Sequence, residues 1–226
     1  MLAEFKTRNF RNFREWLVFS LETPEAYAFN KEAVYNGVIK DAVIIGHNAC
    51  GKTDLGIAVM DITTHLTDVG KRYPPSLLFP GLSGQDSNMS FMYKFKFGRN
   101  ILEYSYEKTG TGSLIQECVK INGKKVLATG NGQAFTCLAV TEPLDLGKWD
   151  SQVSFARYVN AMLDTEDSDS QVFLEFIEFV NKMVHFSSTE GTDGLVFSSG
   201  REGYLILFAV LIMALKVLRD FLRKQA

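Results

Sequence analysis

Gly46-His47-Asn48-Ala49-Cys50-Gly51-Lys52-Thr53 fits the pattern G-x-x-x-x-G-K-[ST], and few short patterns restrict a backbone so closely. Such a loop works only between a strand and a helix. The apolar run Ala42-Val43-Ile44-Ile45 leads into it as a buried parallel strand would. From Thr53 to Leu66, Leu55, Val59, Ile62 and Leu66 follow a helix-compatible spacing. The expectation is therefore strand, loop, helix. Each residue type in the loop has a chemical reason. Gly46 and Gly51 let successive amides turn inward toward a polyanion, and the helix beginning near Gly51 adds its positive end. Lys52 reaches β- and γ-phosphate oxygens as a point charge, and Thr53 offers a hydroxyl to Mg²⁺. The pattern points to a nucleoside triphosphate with magnesium.

The chain of 226 residues is one large domain or two small ones, and 46% hydrophobic with 22% charged residues is the balance of a soluble globular protein. A net charge of −2 gives no overall pull toward nucleic acid or a membrane, although a local basic surface stays compatible with it. Cys50, Cys118 and Cys137 lack metal-ligand spacing and read as reduced thiols. Met1-Leu2-Ala3-Glu4-Phe5 lacks the basic-then-apolar form of a leader. The expected location is the cytoplasm. Three isolated histidines make no zinc site. His65 and His185 are expected to close helices, where a cation suits the dipole.

Residues 3–10 and 16–21 read as two strands, 24–37 as polar and irregular, and 38–45 as the strand into the loop. A β meander follows. Phe91, Tyr93, Phe95 and Phe97 alternate with Met92, Lys94 and Lys96, the period of a half-buried strand. Gly98-Arg99-Asn100 turns into 101–107, and 114–121 ends at Asn122-Gly123, a strong hairpin signal, before 124–128. Beyond Gly132 the pattern turns helical, over 153–163 and then 172–186. The acidic cluster Asp164, Glu166, Asp167 and Asp169 reads as a solvated helix connection, because Asp169 stands where a Ca²⁺ loop needs glycine. Tyr204 to Leu215 is a twelve-residue run without a polar break, too short for a membrane span and expected as a buried helix.

Two features together carry a family resemblance: Asn9-Phe10-Arg11-Asn12-Phe13 closing the first strand, and the loop from Gly46 to Thr53 after Gly37-Val38-Ile39-Lys40. They resemble the N-terminal part of the ABC-type ATPase heads of abortive-infection ATP-binding proteins, relatives of overcoming-lysogenization-defect nucleases and SMC heads. Cys50 replaces the usual Ser of that loop and Thr53 its final Ser. The resemblance implies an α/β P-loop NTPase fold with an ABC-type head N-terminal lobe at 1–130, the meander being its antiparallel β-layer, followed by a helical segment at 131–226. It also implies ATP and Mg²⁺ held by Arg11, Asn12, Gly46, His47, Asn48, Ala49, Cys50, Gly51, Lys52, Thr53 and Asp54. Lys52 would be the catalytic cation and Thr53 the metal ligand.

ABC-type hydrolysis needs an apolar strand ending in Asp-Glu and a signature loop donated across a dimer. Leu138-Ala139-Val140-Thr141-Glu142 has Thr141 where Asp is required, and Pro143 breaks the chain. Leu82-Ser83-Gly84-Gln85 looks like a signature fragment but lies in a Pro/Gly-rich stretch and reads as a loop. The expectation is an incomplete head that a homodimer or partner chain completes with Walker B and signature motifs. Three functions stay open: an ATPase sensor in anti-phage defence acting with an effector nuclease, a non-hydrolysing nucleotide-binding subunit, and a fragment of a longer ATPase. No membrane is expected.

Overall fold

Alternation of large apolar with polar residues along 89–108 builds the centre of the molecule. The computed structural model describes residues 1–23, 31–47, 50–67, 88–147, 149–150, 153–186 and 206–209. The strands are β1 (Leu2–Arg8), β2 (Leu17–Ser20), β3 (Val34–Tyr35), β4 (Val38–Ile39), β5 (Met89–Phe97), β6 (Asn100–Lys108), β7 (Leu114–Ile121), β8 (Lys124–Gly130), β9 (Gln133–Thr136), β10 (Met183–Phe186) and β11 (Ile206–Ala209). The α-helices are α1 (Lys52–Leu66), α2 (Phe155–Asn160) and α3 (Ser168–Asn181). Seven strands form one antiparallel sheet in the order β2-β1-β5-β6-β7-β8-β9. The protein is a mixed α/β fold in which helices cover one face of that sheet.

Strand parity decides which side chains meet the helices. Phe91, Tyr93, Phe95 and Phe97 on β5, with Leu102, Tyr104 and Tyr106 on β6, are buried. They pack against Ala58, Val59 and Ile62 of α1 and Phe173, Phe176 and Val180 of α3 in one core. Burying each such side chain contributes roughly 1.5–3 kcal/mol before entropy is counted. The opposite face carries charge: Lys94 and Lys96 reach Glu22 at 3.0 and 2.8 Å. One wet and one covered face is what a meander with clean alternation should give.

The expected strands at the N-terminus and along the meander form with close bounds, and Asn122-Gly123 turns β7 into β8. Two further Asn-Gly pairs do the same work. Asn36 and Asn131, both with positive φ like Asn122, turn β3 into β4 and β8 into β9. Irregular chain at 24–37 and helix beyond Gly132 were the expectations there. Residues 34–35 and 133–136 instead form hairpin strands, because Asn-Gly accepts positive φ and returns the chain on itself.

The parallel strand expected at 42–45 does not form. Backbone pairing ends at Lys40, whose N–H donates to Ala33 O at 2.8 Å; residues 41–47 hold no regular structure, and Val43 and Ile45 are 81% and 70% exposed. An apolar run becomes a strand only beside a partner, and none of the described strands flanks it. The 153–163 helix is shortened to α2, since residues 139–141 pair with 162–164 through Thr141 N–H to Met162 O and Asp164 N–H to Ala139 O. The helix expected over 172–186 ends at Asn181, and 183–186 become β10. β10 pairs in parallel with β11, so residues 206–209 of the expected C-terminal helix are strand; the rest of 204–215 lies outside the described residues. No helix among the described residues is long and apolar enough to cross a membrane.

Candidate functional site

α1 begins at Lys52 behind Gly51, whose φ of 92° lies in the left-handed region. Glycine suits that position twice over. A side chain there would strain the backbone, and its β-carbon would reach van der Waals contact with the Phe13 ring at 3.4 Å. Gly51 makes no side-chain cap, so the first-turn amides receive no such partner from it. The loop closes around the Lys52 ammonium, which donates to Gly46 O at 2.8 Å and His47 O at 2.6 Å and lies 3.5 Å from Cys50 Sγ. Gly46 has less room: a β-carbon on it would lie 2.6 Å from Cys50 Sγ. Asn48 and Ala49 lie outside the described residues.

The N-terminal pattern meets this loop from the other side. Phe10 and Phe13 exchange backbone hydrogen bonds of 3.2 and 2.9 Å, which makes Arg11-Asn12 the tip of a tight turn. Arg11 has a φ of 50°, uncommon for a long side chain. Buried Phe10 anchors the turn on Phe91, with ring centroids 5.3 Å apart. From that tip Arg11 Nη1 donates to Asp54 Oδ1 at 2.9 Å, and the Asn12 amide donates to Asp54 Oδ2. Arg11, Asn12, Gly46, His47, Cys50, Gly51, Lys52, Thr53 and Asp54 thus gather at one end of α1, although Arg11 and Asn12 lie some forty residues from the rest.

Thr53 follows Lys52 in the first turn, and its hydroxyl has no hydrogen-bond partner among the described residues. Both oxygens of Asp54 are engaged by Arg11 and Asn12. No group of three His, Cys, Asp or Glu among the described residues could hold a metal ion. Among the described residues the start of α1 thus offers a cation one hydroxyl, Thr53 Oγ1, and no protein-built cage. Thr141 is tied to Met162, and Glu142 after it is exposed on irregular chain, so 138–142 is no strand presenting a carboxylate. The Leu82–Gln85 fragment lies outside the described residues. Two shallow grooves, about 100 and 260 Å³, lie on the sheet around Met92, Ser105 and Cys118, and no residue of 46–54 lines them.

Sequence reading missed how α1 is fastened. Asp61 is buried and accepts from Lys108 Nζ at 2.6 Å and Tyr106 Oη at 2.7 Å. Tyr93 Oη donates to Ala58 O at 3.1 Å. His65 is not a solvated cation at a helix end. Its ring stacks on Tyr106 at 4.2 Å, and burial first, then the Lys108 ammonium, lower its pKa. Its Nε2 stands 3.6 Å from Glu117 Oε1, without a hydrogen bond. Burial opposes the Glu117 charge, but His65 and the hydroxyls of Ser154 and Tyr104 outweigh it and lower its pKa. Glu117 also accepts from the Phe155 and Ala156 amides at the start of α2. Strand parity could have exposed two of these groups, since Lys108 and Glu117 fall on the inward positions of β6 and β7. His185 lies in β10, not at a helix end.

No protein-family model matches this chain, and a comparison with curated proteins finds no match.

Proposed function

We propose that the end of α1 binds the phosphates of ATP with Mg²⁺. The observation that carries the reading is the convergence of the Lys52 ammonium, the Thr53 hydroxyl and the first-turn amides behind Gly51, with Arg11 brought beside them by Asp54. A triphosphate arriving there takes Lys52 from the carbonyls of Gly46 and His47. Two charge-assisted hydrogen bonds are exchanged for bonds to a multiply charged anion, which favours the anion. The unpaired 42–45 segment departs from the strand that usually precedes such a loop, so the support comes from the loop and the N-terminal turn alone. The setting we propose is the one the resemblance implies: an ATP-gated sensor in anti-phage defence, in the cytoplasm, working with an effector nuclease.

The exposed, irregular course of Glu142 favours a second reading in which this chain binds nucleotide without hydrolysing it, hydrolysis needing groups from a second copy or another chain. Isothermal titration with Mg·ATP tests binding, and phosphate release tests turnover. Wild-type protein binds, Lys52→Ala weakens binding at least a hundredfold, and the chain alone releases no phosphate. Unchanged affinity in Lys52→Ala removes the nucleotide reading; brisk hydrolysis by the isolated chain removes the second reading.

A further inference from the structure

We propose that Asp54 is a positioning residue that holds the Phe10–Phe13 turn against the phosphate loop, so that the site recognises a nucleotide and not merely a polyphosphate. This inference rests on the nucleotide reading above. Asp54 is the third residue of α1, where a carboxylate commonly turns back onto its own helix amides. Here it turns outward. One oxygen takes the Arg11 guanidinium and the other takes the Asn12 amide. The Arg11 and Asp54 side chains are 17% and 15% exposed, so the pair is shielded enough to define geometry.

A bare charge count makes this placement costly. Asp54 follows Lys52 and Thr53 directly, and a carboxylate so near a phosphate site repels the anion it should attract. Its engagement with two donors on a separate segment supplies the compensating role. The turn it holds is unusual in its own right, with Asn9 and Arg11 both at positive φ. The Phe13 ring lies beside Gly51, so that a side chain at 51 would meet it and the turn and the loop stay close neighbours. Arg11 and Asn12 are thereby held at the rim of the anion site, beside the chain end of α1 that meets the phosphates. In this proposal the part of the ligand beyond its phosphates lies against this turn.

Two physical ideas then give opposite signs for Asp54→Ala. If Asp54 acts only through its charge, its removal tightens every polyanion alike. If it positions the turn, removal weakens ligands that reach the turn and leaves or tightens those that do not. The experiment titrates wild type, Lys52→Ala, Asp54→Ala, Arg11→Ala and the Arg11→Ala/Asp54→Ala double variant with Mg·ATP and with Mg·tripolyphosphate, circular dichroism checking the fold of each. We expect Lys52→Ala to lose both ligands and Asp54→Ala to lose about tenfold for ATP with tripolyphosphate unchanged or tighter. The double variant should be no weaker for ATP than Arg11→Ala, since the two residues act as one unit. ATP and tripolyphosphate shifting together in Asp54→Ala, or additive losses in the double variant, overturns the positioning role while leaving nucleotide binding intact. Should Asp54→Ala misfold, Asp54→Asn, which keeps an acceptor of the same shape, is read by the same pair of ligands. Wild-type protein that binds neither ligand refutes the nucleotide reading itself, and the role of Asp54 falls with it.

Discussion

Asp61→Asn tests what fastens α1 to the sheet. The Asp61 side chain is 3% exposed and that of Lys108 10%, with 2.6 Å between Oδ2 and Nζ. Asparagine keeps the volume and can still accept from Tyr106, so the change removes little besides the charge opposite Lys108. Leaving one member of a buried pair uncompensated costs about 3–5 kcal/mol. Domains of this kind are stable by about 5–15 kcal/mol, so about a fifth or more of the stability is at stake. With a urea m-value of about 2 kcal/mol/M, the midpoint should fall by about 2 M. The Asp61→Leu/Lys108→Met double variant replaces the pair by apolar side chains and should unfold nearer to wild type than Asp61→Asn, with a residual loss of about 0.5–1.5 M because the buried Tyr106 hydroxyl no longer has its Asp61 acceptor. Urea unfolding followed by circular dichroism, with tryptophan fluorescence as a second probe, measures both. A midpoint shift below about 0.5 M for Asp61→Asn, or a double variant less stable than the single one, refutes the claim that this ion pair is dry and mutually dependent.

Two other perturbations follow from the same geometry. The His65 pKa is lowered in the folded protein from an ordinary 6.5, so the unfolded chain binds more protons just below that value. Stability should therefore be full above pH 6.5 and fall as the pH drops below it, and His65→Phe, which keeps the stack on Tyr106, should flatten that slope. Glu117 adds a second loss below its ordinary 4.5 by the same sign rule, and Glu117→Gln should remove it; urea midpoints across pH 4–8 distinguish the two. In the loop, Gly46→Ala places a β-carbon 2.6 Å from Cys50 Sγ and should weaken Mg·ATP binding about tenfold or more. Adding Cys50→Ala removes the obstructing sulfur and should restore most of it; titration calorimetry on the two variants decides.

Local chemistry made much of this protein legible in its sequence. The period-two aromatic row at 91–97, the Asn122-Gly123 turn and the apolar spacing of 55–66 each depend on neighbours within a few residues, and all appear as read. The resemblance implied Arg11 and Asn12 beside a nucleotide; what the fold shows is both side chains on Asp54 at the start of α1, a pairing across some forty residues that no local pattern gave. Distant partners decided the rest. Val43-Ile44-Ile45 reads as a strand and Ile206–Ala209 as part of a helix, yet the first is irregular chain with Val43 and Ile45 exposed and the second is a parallel strand beside β10. A strand's hydrogen bonds are completed by residues far away in the chain, so no local pattern can say whether the partner arrives. His65 is the same lesson in electrostatics. Its position near a helix end is written in the sequence, but its lowered pKa comes from burial first and then from Lys108, which exist beside it only once the chain has folded.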